Sequence, residues 1–166
     1  DRVTADQMGM LGTVINCLCV RDAVQRAGGD AVVMSAFEMN RVCEVYNTQH
    51  ALQHLKAGKI VFFAAGSGNP FFSTDTAVVL RAVEVGADAI LLAKNIDGVY
   101  TADPKKDPTA TLIREISYEK AQDMRLKVMD SAAFALCADF RSTDGVRDIR
   151  CKDFDLAAVG MIRKIL

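Results

Sequence analysis

The segment from residue 66 to residue 75, GSGNPFFSTD, combines residue types that could bind an anionic ligand. Its glycines would let a ligand approach the backbone, while Ser73 and Thr74 lie where a helix should begin. Backbone N–H groups and the dipole at a helix N-terminus favour negative charge. Phe71 or Phe72 could stack against a planar base. The segment predicts a phosphate or oxyanion site, although a simple helix cap at Ser73 or Thr74, with the two phenylalanines in the core, would explain the same residues.

Two further carboxylates could take part in nucleotide chemistry. Asp75 could orient a lysine or help to place a metal ion, or it could stabilise the first turn of a helix. In residues 94–103, Asp97-Gly98 predicts a tight turn that would bring Tyr100 and Asp103 near the end of a strand. An aromatic ring and a carboxylate there could hold a base and a ribose. A turn with a solvated aspartate is the alternative.

Composition excludes several classes of function. The chain has 166 residues, with 20 basic and 21 acidic side chains, and this balance disfavours a nucleic-acid partner. We find no uninterrupted apolar run near the roughly 20 residues that cross a bilayer, and expect a soluble protein. Five cysteines without a CxxC pair indicate neither a disulfide framework nor a zinc site, which favours the cytoplasm. His50 and His54 share a helical face without an acidic or thiol ligand, so we interpret them as a surface pair.

Alternating helix and strand patterns should position these segments. Apolar spacing predicts helices over 5–26, 48–56, 76–85, 118–123, 131–139 and 157–165, and strands over 31–35, 59–64, 89–93 and 149–151. This alternation predicts one α/β domain over residues 1–166, with a mainly parallel sheet sandwiched by helices. Ligands bind at the carboxyl ends of such strands, so we expect the site after Ala64 and after Ala93.

Four motifs together are more specific than any one of them. They are DRVTADQMGML from Asp1, GSGNPFFSTD from Gly66, DGVYTADP from Asp97 and LKVMD from Leu126. In sequence, order and spacing they closely resemble the bacterial uridylate kinase family of the amino acid kinase superfamily, from Asp1 to about Phe140. The resemblance implies an amino acid kinase-like fold that is incomplete at both ends, with the chain supplying its central and C-terminal part.

The resemblance also implies an activity. Members of this family transfer the γ-phosphoryl group of ATP, bound with Mg²⁺, to UMP and form UDP in pyrimidine biosynthesis. They act in the cytoplasm as homohexamers that respond to GTP and UTP. We therefore expect UMP and ATP as substrates and GTP and UTP as effectors, without a metal site built by the chain itself. The helix over 5–26 would be either a subunit interface or part of the core.

By position, the resemblance assigns residues to each substrate. Asp6 would bind the ribose hydroxyls of UMP, and Asp75 would organise the phosphoryl-transfer centre. Tyr100 and Asp103 would contact ATP, with a third contact from Lys94 or Asn95. Ser67 would recognise uracil and Thr74 would hold the acceptor phosphate. The whole UMP loop would comprise Ser67, Gly68, Asn69, Pro70, Phe71, Phe72, Ser73 and Thr74.

The sequence departs from the family pattern before its DRV motif. Family members carry a lysine near a KxSGE motif and a phosphate-binding GGGN loop, and neither motif occurs here. A second hypothesis is therefore a non-catalytic nucleotide-binding or assembly protein that kept the UMP and ATP loops. A parent gene that encodes the two motifs would support the enzyme, whereas a gene that starts at Asp1, with UMP binding but no turnover, would favour the binder. A kinase for a small carboxylic acid is disfavoured by the NPFF sequence.

We expect the 166-residue chain alone to be inactive or nearly so. The lysine and the GGGN loop would supply the main groups that neutralise the transferring phosphoryl group. A steady-state kinase assay with UMP and ATP measures this directly. Turnover near that of a full-length relative would contradict the expectation.

Overall fold

The computed structural model describes residues 1–92, 98–126, 129–139, 148–150 and 161–162. Contacts between residues divide the chain into two compact units, Asp1–Val85 and Gly86–Leu166. The assignment of residues 1–166 to one domain stays a prediction.

The first unit is a parallel three-stranded sheet with three helices. Its strands β1, β2 and β3 lie in the order β2-β1-β3, and both pairings are parallel. Asp1 and Ser73 cap the first and third helices, so these helices begin earlier than the apolar spacing predicts. In chain order the elements are α1 Arg2–Arg26, β1 Ala31–Ser35, β2 Glu44–Val45, α2 Thr48–Lys56, β3 Ile60–Ala64 and α3 Thr74–Glu84.

Helices and loops cover both faces of this sheet. Val33 of β1 and Phe62 of β3 are paired in register, and both pack with Val14 of α1. Since side chains alternate along a strand, Phe63 points to the opposite face. There the Tyr46 ring meets Phe63 edge-on, with a centroid distance of 5.5 Å. The predicted parallel sheet with helical cover is therefore present in this unit.

A buried arginine ties α3 to the opposite face of the sheet. The Arg81 guanidinium lies 3.7 Å from the Tyr46 ring centroid, and its Nη1 lies 2.5 Å from Glu84 Oε2. The same Glu84 oxygen accepts a hydrogen bond of 2.6 Å from the Tyr46 hydroxyl. Burial, followed by this hydrogen bond, raises the pKa of Tyr46 and keeps its hydroxyl protonated as the donor. Arg81 Nη2 also lies 3.5 Å from the Gly66 carbonyl oxygen, which connects the network to the loop after β3.

The second unit contains short antiparallel pairs in its described part. They are β4 with β9, β5 with β6, and β7 with β8. The predicted helices over 118–123 and 131–139 are confirmed, and the strand predicted over 149–151 is found one residue earlier. The elements are β4 Ile90–Leu91, β5 Val99–Tyr100, β6 Leu112–Ile113, β7 Glu115–Ser117, α4 Tyr118–Asp123, α5 Ser131–Asp139, β8 Asp148–Arg150 and β9 Met161–Ile162.

Two predictions need correction in this unit. The helix predicted over 157–165 is wrong at Met161–Ile162, which form a strand with Ile90–Leu91. Short apolar runs have no periodicity that separates helix from strand, so the pairing decides. The hairpin near Tyr100 is formed by β5 and β6, which bracket residues 101–111. The turn predicted at Asp97-Gly98 lies partly outside the described residues.

Helix α1 is also long and apolar. It has 25 residues, and an 18-residue window within it has a mean hydropathy of 1.3, enough by length and composition to cross a membrane. One such helix is weak evidence for a membrane span, because core helices of soluble proteins have the same properties. In the structure α1 packs on β1 and β3 through Val14, while Met8, Leu11 and Ile15 are exposed on its other side.

The ion pair between the buried Arg81 and the partly exposed Glu84 should contribute measurably to stability. We expect Glu84→Gln to lower the free energy of unfolding by about 1–3 kcal/mol, because the buried Arg81 guanidinium loses its counter-charge. The Asp22–Arg26 pair is a matched control, since its side chains are 56% and 73% exposed. Asp22→Asn should change the free energy of unfolding by less than about 0.5 kcal/mol. Urea denaturation of both variants measures the difference, and equal effects would contradict the assigned role of Glu84.

Candidate functional site

A cavity of about 240 Å³ lies in the first unit, between α1 and the loop that connects β3 to α3. The β3–α3 loop, residues 65–73, begins at the carboxyl end of β3, where ligands of parallel sheets are expected. The volume is slightly below the roughly 300 Å³ at which small-molecule sites begin, so the cavity favours a small ligand. Its walls are Ala5, Asp6, Gly9, Met10 and Thr13 of α1, and Gly66, Ser67, Asn69, Phe72, Ser73 and Thr74.

The β3–α3 loop contains two non-glycine residues in the left-handed region. Ala65 has φ of 62° and Phe71 has φ of 72°. This conformation costs roughly 1–2 kcal/mol for each residue with a Cβ. The N–H of Ala65 donates to Thr13 Oγ1 at 2.8 Å, and the N–H of Phe71 donates to Asp6 Oδ2 at 2.8 Å. Side chains of α1 therefore hold the loop at both strained positions.

One loop glycine is required by both conformation and space. Gly68 has φ of 80°, and a Cβ at this position would lie 3.1 Å from the Cβ of Ala36. A larger residue would push the loop away from the segment that follows β1. The residues on either side of Gly68 form a closed turn, in which the Asn69 N–H donates a hydrogen bond to Ser67 Oγ at 3.2 Å. The polar side chains at the cavity are thus placed by the loop backbone.

Asp6 is held as a carboxylate by neighbouring donors. The Phe71 N–H is the largest cause that lowers the pKa of Asp6 below its ordinary value, followed by Arg2. Arg2 Nε lies 2.8 Å and 2.9 Å from the two carboxylate oxygens. A carboxylate can accept about four hydrogen bonds, so Asp6 keeps capacity for a ligand hydroxyl. Its position in the cavity wall makes it a suitable acceptor.

The N-terminus of α3 borders the same cavity. Ser73 accepts a hydrogen bond of 3.2 Å from the Thr76 N–H and thereby caps the helix, as the simpler interpretation expects. Ser73 and Thr74 nevertheless line the cavity, where the positive end of the helix dipole favours an anion. Asp75 is half-buried in the first turn of α3 and does not line the cavity.

The two phenylalanines of the loop are not core residues. Phe71 is 67% exposed and Phe72 is 57% exposed. The interpretation that places them in the core is therefore wrong, because the left-handed turn at Phe71 directs the chain along the surface. Phe72 lines the cavity, whereas Phe71 lies beside the Arg2 guanidinium, 5.6 Å from ring centroid to Cζ. Phe72 is thus the aromatic ring available to a planar ligand.

The cavity gathers most, but not all, of the predicted UMP loop. Asp6, Ser67, Asn69, Phe72, Ser73 and Thr74 line it, whereas Gly68, Pro70 and Phe71 belong to the loop without lining it. The sequence analysis missed three α1 residues that line the cavity, namely Gly9, Met10 and Thr13. Helical spacing could have found them, since they follow Asp6 by three, four and seven residues and share its face.

The predicted ATP contacts belong to the second unit. Tyr100 is half-buried in β5, and Asp103 lies in the loop of the β5–β6 hairpin. Asp103 Oδ1 accepts a hydrogen bond of 3.0 Å from the Lys105 N–H, the pattern of a turn aspartate. Lys94 and Asn95 lie outside the described residues.

Within the described ranges, no three His, Cys, Asp or Glu side chains lie together in an arrangement that could hold a metal ion. His54 Nε2 lies 2.9 Å from Glu44 Oε2, so this histidine has the acidic neighbour that the sequence pattern did not reveal. Folding brings β2 beside α2, whereas the sequence separates the two residues by ten positions.

The geometry defines an α/β unit in which the loop after a parallel strand, the N-terminus of α3 and one face of α1 border a cavity. A sequence model of the amino acid kinase family matches residues 1–147, and the chain belongs to this family. Among curated proteins, the uridylate kinase of Methylococcus capsulatus is 52% identical over 141 residues, which are 85% of this chain and 59% of that protein. The uridylate kinase of Azorhizobium caulinodans is 56% identical over 139 residues, 84% of this chain and 58% of that protein.

Solved structures agree with this assignment. The UMP kinase of Bacillus anthracis matches with a TM-score of 0.82 and 42% identity, over 84% of this chain and 58% of that one. The UMP kinase of Ureaplasma parvum matches with a TM-score of 0.80 and 35% identity, over 84% and 60% of the respective chains. The resemblance to uridylate kinases and the amino acid kinase-like fold are thus confirmed. The chain spans about three fifths of the length of these relatives.

The Asp6–Phe71 hydrogen bond should depend on pH in a defined direction. The pKa of Asp6 is lower in the folded state than in the unfolded state. The ionised carboxylate therefore contributes its full share to folding stability above the ordinary aspartate pKa of about 4, and this share is lost as the pH falls through the lowered pKa. We expect the Phe71 amide proton shift to titrate with a midpoint below about pH 4, as measured by NMR. In Asp6→Asn this titration should disappear. A midpoint at or above about pH 4 would contradict the assigned hydrogen bond.

Proposed function

We propose that this chain is part of a UMP kinase, which transfers the γ-phosphoryl group of ATP to UMP and releases UDP and ADP. The cavity in the first unit carries this proposal, because one small site combines a helix N-terminus, a carboxylate and an exposed aromatic ring. These groups match the phosphate, the ribose hydroxyls and the base of a nucleoside monophosphate. The names and identity of the curated relatives support the same substrate. Pyrimidine biosynthesis in the cytoplasm is the corresponding role.

In this proposal each part of UMP has a separate partner. The Asp6 carboxylate accepts hydrogen bonds from ribose hydroxyls, which a permanently ionised acceptor does well. Thr74 and the N-terminus of α3 hold the acceptor phosphate through the hydroxyl, N–H groups and helix dipole. Ser67 and Asn69 face the base, where Phe72 can stack on its ring. Gly68, Pro70, Phe71 and Ser73 shape the loop around these contacts.

The donor nucleotide is assigned to residues of the second unit. Tyr100 and Asp103 contact ATP, together with Lys94 or Asn95, and Asp75 organises the phosphoryl-transfer centre. Phosphoryl transfer requires little covalent chemistry from the protein, so alignment of the two substrates and stabilisation of charge supply most of the rate. Mg²⁺ would be bound mainly by the phosphates of ATP. The chain would supply at most one or two carboxylates to the ion, such as that of Asp75. The ion would neutralise charge on the phosphate oxygens.

The proposed enzyme is a homohexamer that responds to GTP and UTP. The exposed side of α1 supports a contact between subunits, because Met8, Leu11 and Ile15 are 68%, 42% and 68% exposed at helical spacing. Exposed apolar residues grouped on one helix face are typical of protein interfaces. Nucleic acid and membrane are not among the proposed partners.

Binding of UMP to the chain tests the site apart from catalysis. Gly9 and Gly12 both lie in α1, and an added Cβ would meet nothing within 4 Å at either position, but only Gly9 lines the cavity. Glycine to alanine in a helix stabilises it by up to about 1 kcal/mol, so both variants should fold at least as well as the wild type. We expect Gly9→Ala to weaken UMP binding about tenfold and Gly12→Ala to leave it unchanged.

Isothermal titration calorimetry with UMP, and with uridine as the ligand without phosphate, measures these affinities. Uridine should bind much more weakly, because the helix N-terminus then has no anion. If the wild-type chain fails to bind UMP, or if both glycine variants bind it equally, the assigned site is wrong.

A further inference from the structure

Thr13 is not among the site residues predicted from the sequence, yet it contacts the loop that lines the cavity. Its Oγ1 lies 2.8 Å from the backbone nitrogen of Ala65, a residue with no exposed surface. A buried N–H without a partner is strongly disfavoured, and this one is bonded to the Thr13 side chain. Ala65 is also the first of the two left-handed residues in the β3–α3 loop.

The Ala65 N–H can only donate, so the Thr13 hydroxyl is its acceptor, and the helix supplies a separate partner for the hydroxyl proton. The Thr13 hydroxyl donates its single proton to the Met10 carbonyl at 2.7 Å, a common bond for threonine within a helix. The hydroxyl thus accepts from Ala65 while it donates to Met10. A serine could make the same two bonds, whereas a valine of similar shape could make neither.

Asp6 makes the corresponding contact at the other end of the loop. It accepts from the N–H of Phe71, the second left-handed residue, at 2.8 Å. Asp6 and Thr13 are seven residues apart, which is about two helical turns, so both lie on one face of α1. One rigid helix thus binds the N–H at both positions where the loop backbone is strained.

We propose that Thr13 is a positioning residue for the acceptor nucleotide, which acts with Asp6 to hold the β3–α3 loop in its binding conformation before the nucleotide arrives. This proposal rests on the proposed function for the identity of the nucleotide. A loop that is already ordered loses less conformational entropy on binding, so the affinity is higher. The carboxylate of Asp6 then has two tasks, since it orders the loop and faces the ligand.

A pair of substitutions at one position tests the role of the hydroxyl. We expect Thr13→Val to raise the Kd for UMP about tenfold, the effect of one lost buried hydrogen bond, and Thr13→Ser to stay within about twofold of the wild type. Calorimetry with UMP measures both. If Thr13→Val binds like the wild type, or if Thr13→Ser is as weak as Thr13→Val, the proposal is overturned.

Amide hydrogen exchange without nucleotide separates positioning from general stability. In the wild type, the amides of Ala65 and Phe71 should exchange as slowly as those of β3. In Thr13→Val, exchange should accelerate in residues 65–71 while β1 and β3 keep their protection. Acceleration across the whole sheet, or fast exchange at Ala65 in the wild type, would overturn the proposal. If the wild type shows slow exchange but no UMP binding, the proposed function fails while the ordering of the loop by Thr13 stands.

Discussion

The cavity depends on two backbone hydrogen bonds that cross from the β3–α3 loop to α1. Ala65 and Phe71 both adopt a conformation that L-residues avoid, and each is the residue whose N–H reaches a side chain of that helix. The loop does not hold this shape by local turn chemistry alone, since glycine does not occupy either position. Its conformation is maintained because α1 supplies acceptors at the correct spacing.

Charge is arranged around this loop in a consistent way. Arg2 and the Phe71 N–H keep Asp6 ionised, and the N-terminus of α3 places a positive partial charge at the opposite wall. Behind the loop, the buried Arg81 of α3 forms an ion pair with Glu84, lies over the Tyr46 ring and donates a hydrogen bond to the Gly66 carbonyl. The cavity thus offers an acceptor to hydroxyl groups and a cationic end to phosphate, which is the polarity that a nucleoside monophosphate requires.

The three helices of the first unit and its strands β1 and β3 were predictable because their signals are local, whereas the two-residue strand β2 was not predicted. The apolar spacing of α1, the β-branched run of β1 and the cap residue Ser73 each act within a few positions of the chain. Predictions failed where a remote partner decides. Met161–Ile162 form a strand because Ile90–Leu91 pair with them, and His54 has an acidic neighbour because β2 lies beside α2.

The sequence by itself determined the family, the type of fold and the loop that borders the cavity. These depend on residue types at fixed spacing, namely the four motifs and the periodicity of apolar residues. Only the tertiary structure decided that Thr13 and Asp6 hold Ala65 and Phe71, that Phe72 rather than Phe71 faces the cavity, and that Asp75 lies outside it. The physical reason is that hydrogen bonds between residues more than 50 positions apart have no counterpart in a local pattern, because they exist only once the sheet has brought α1 against the end of β3.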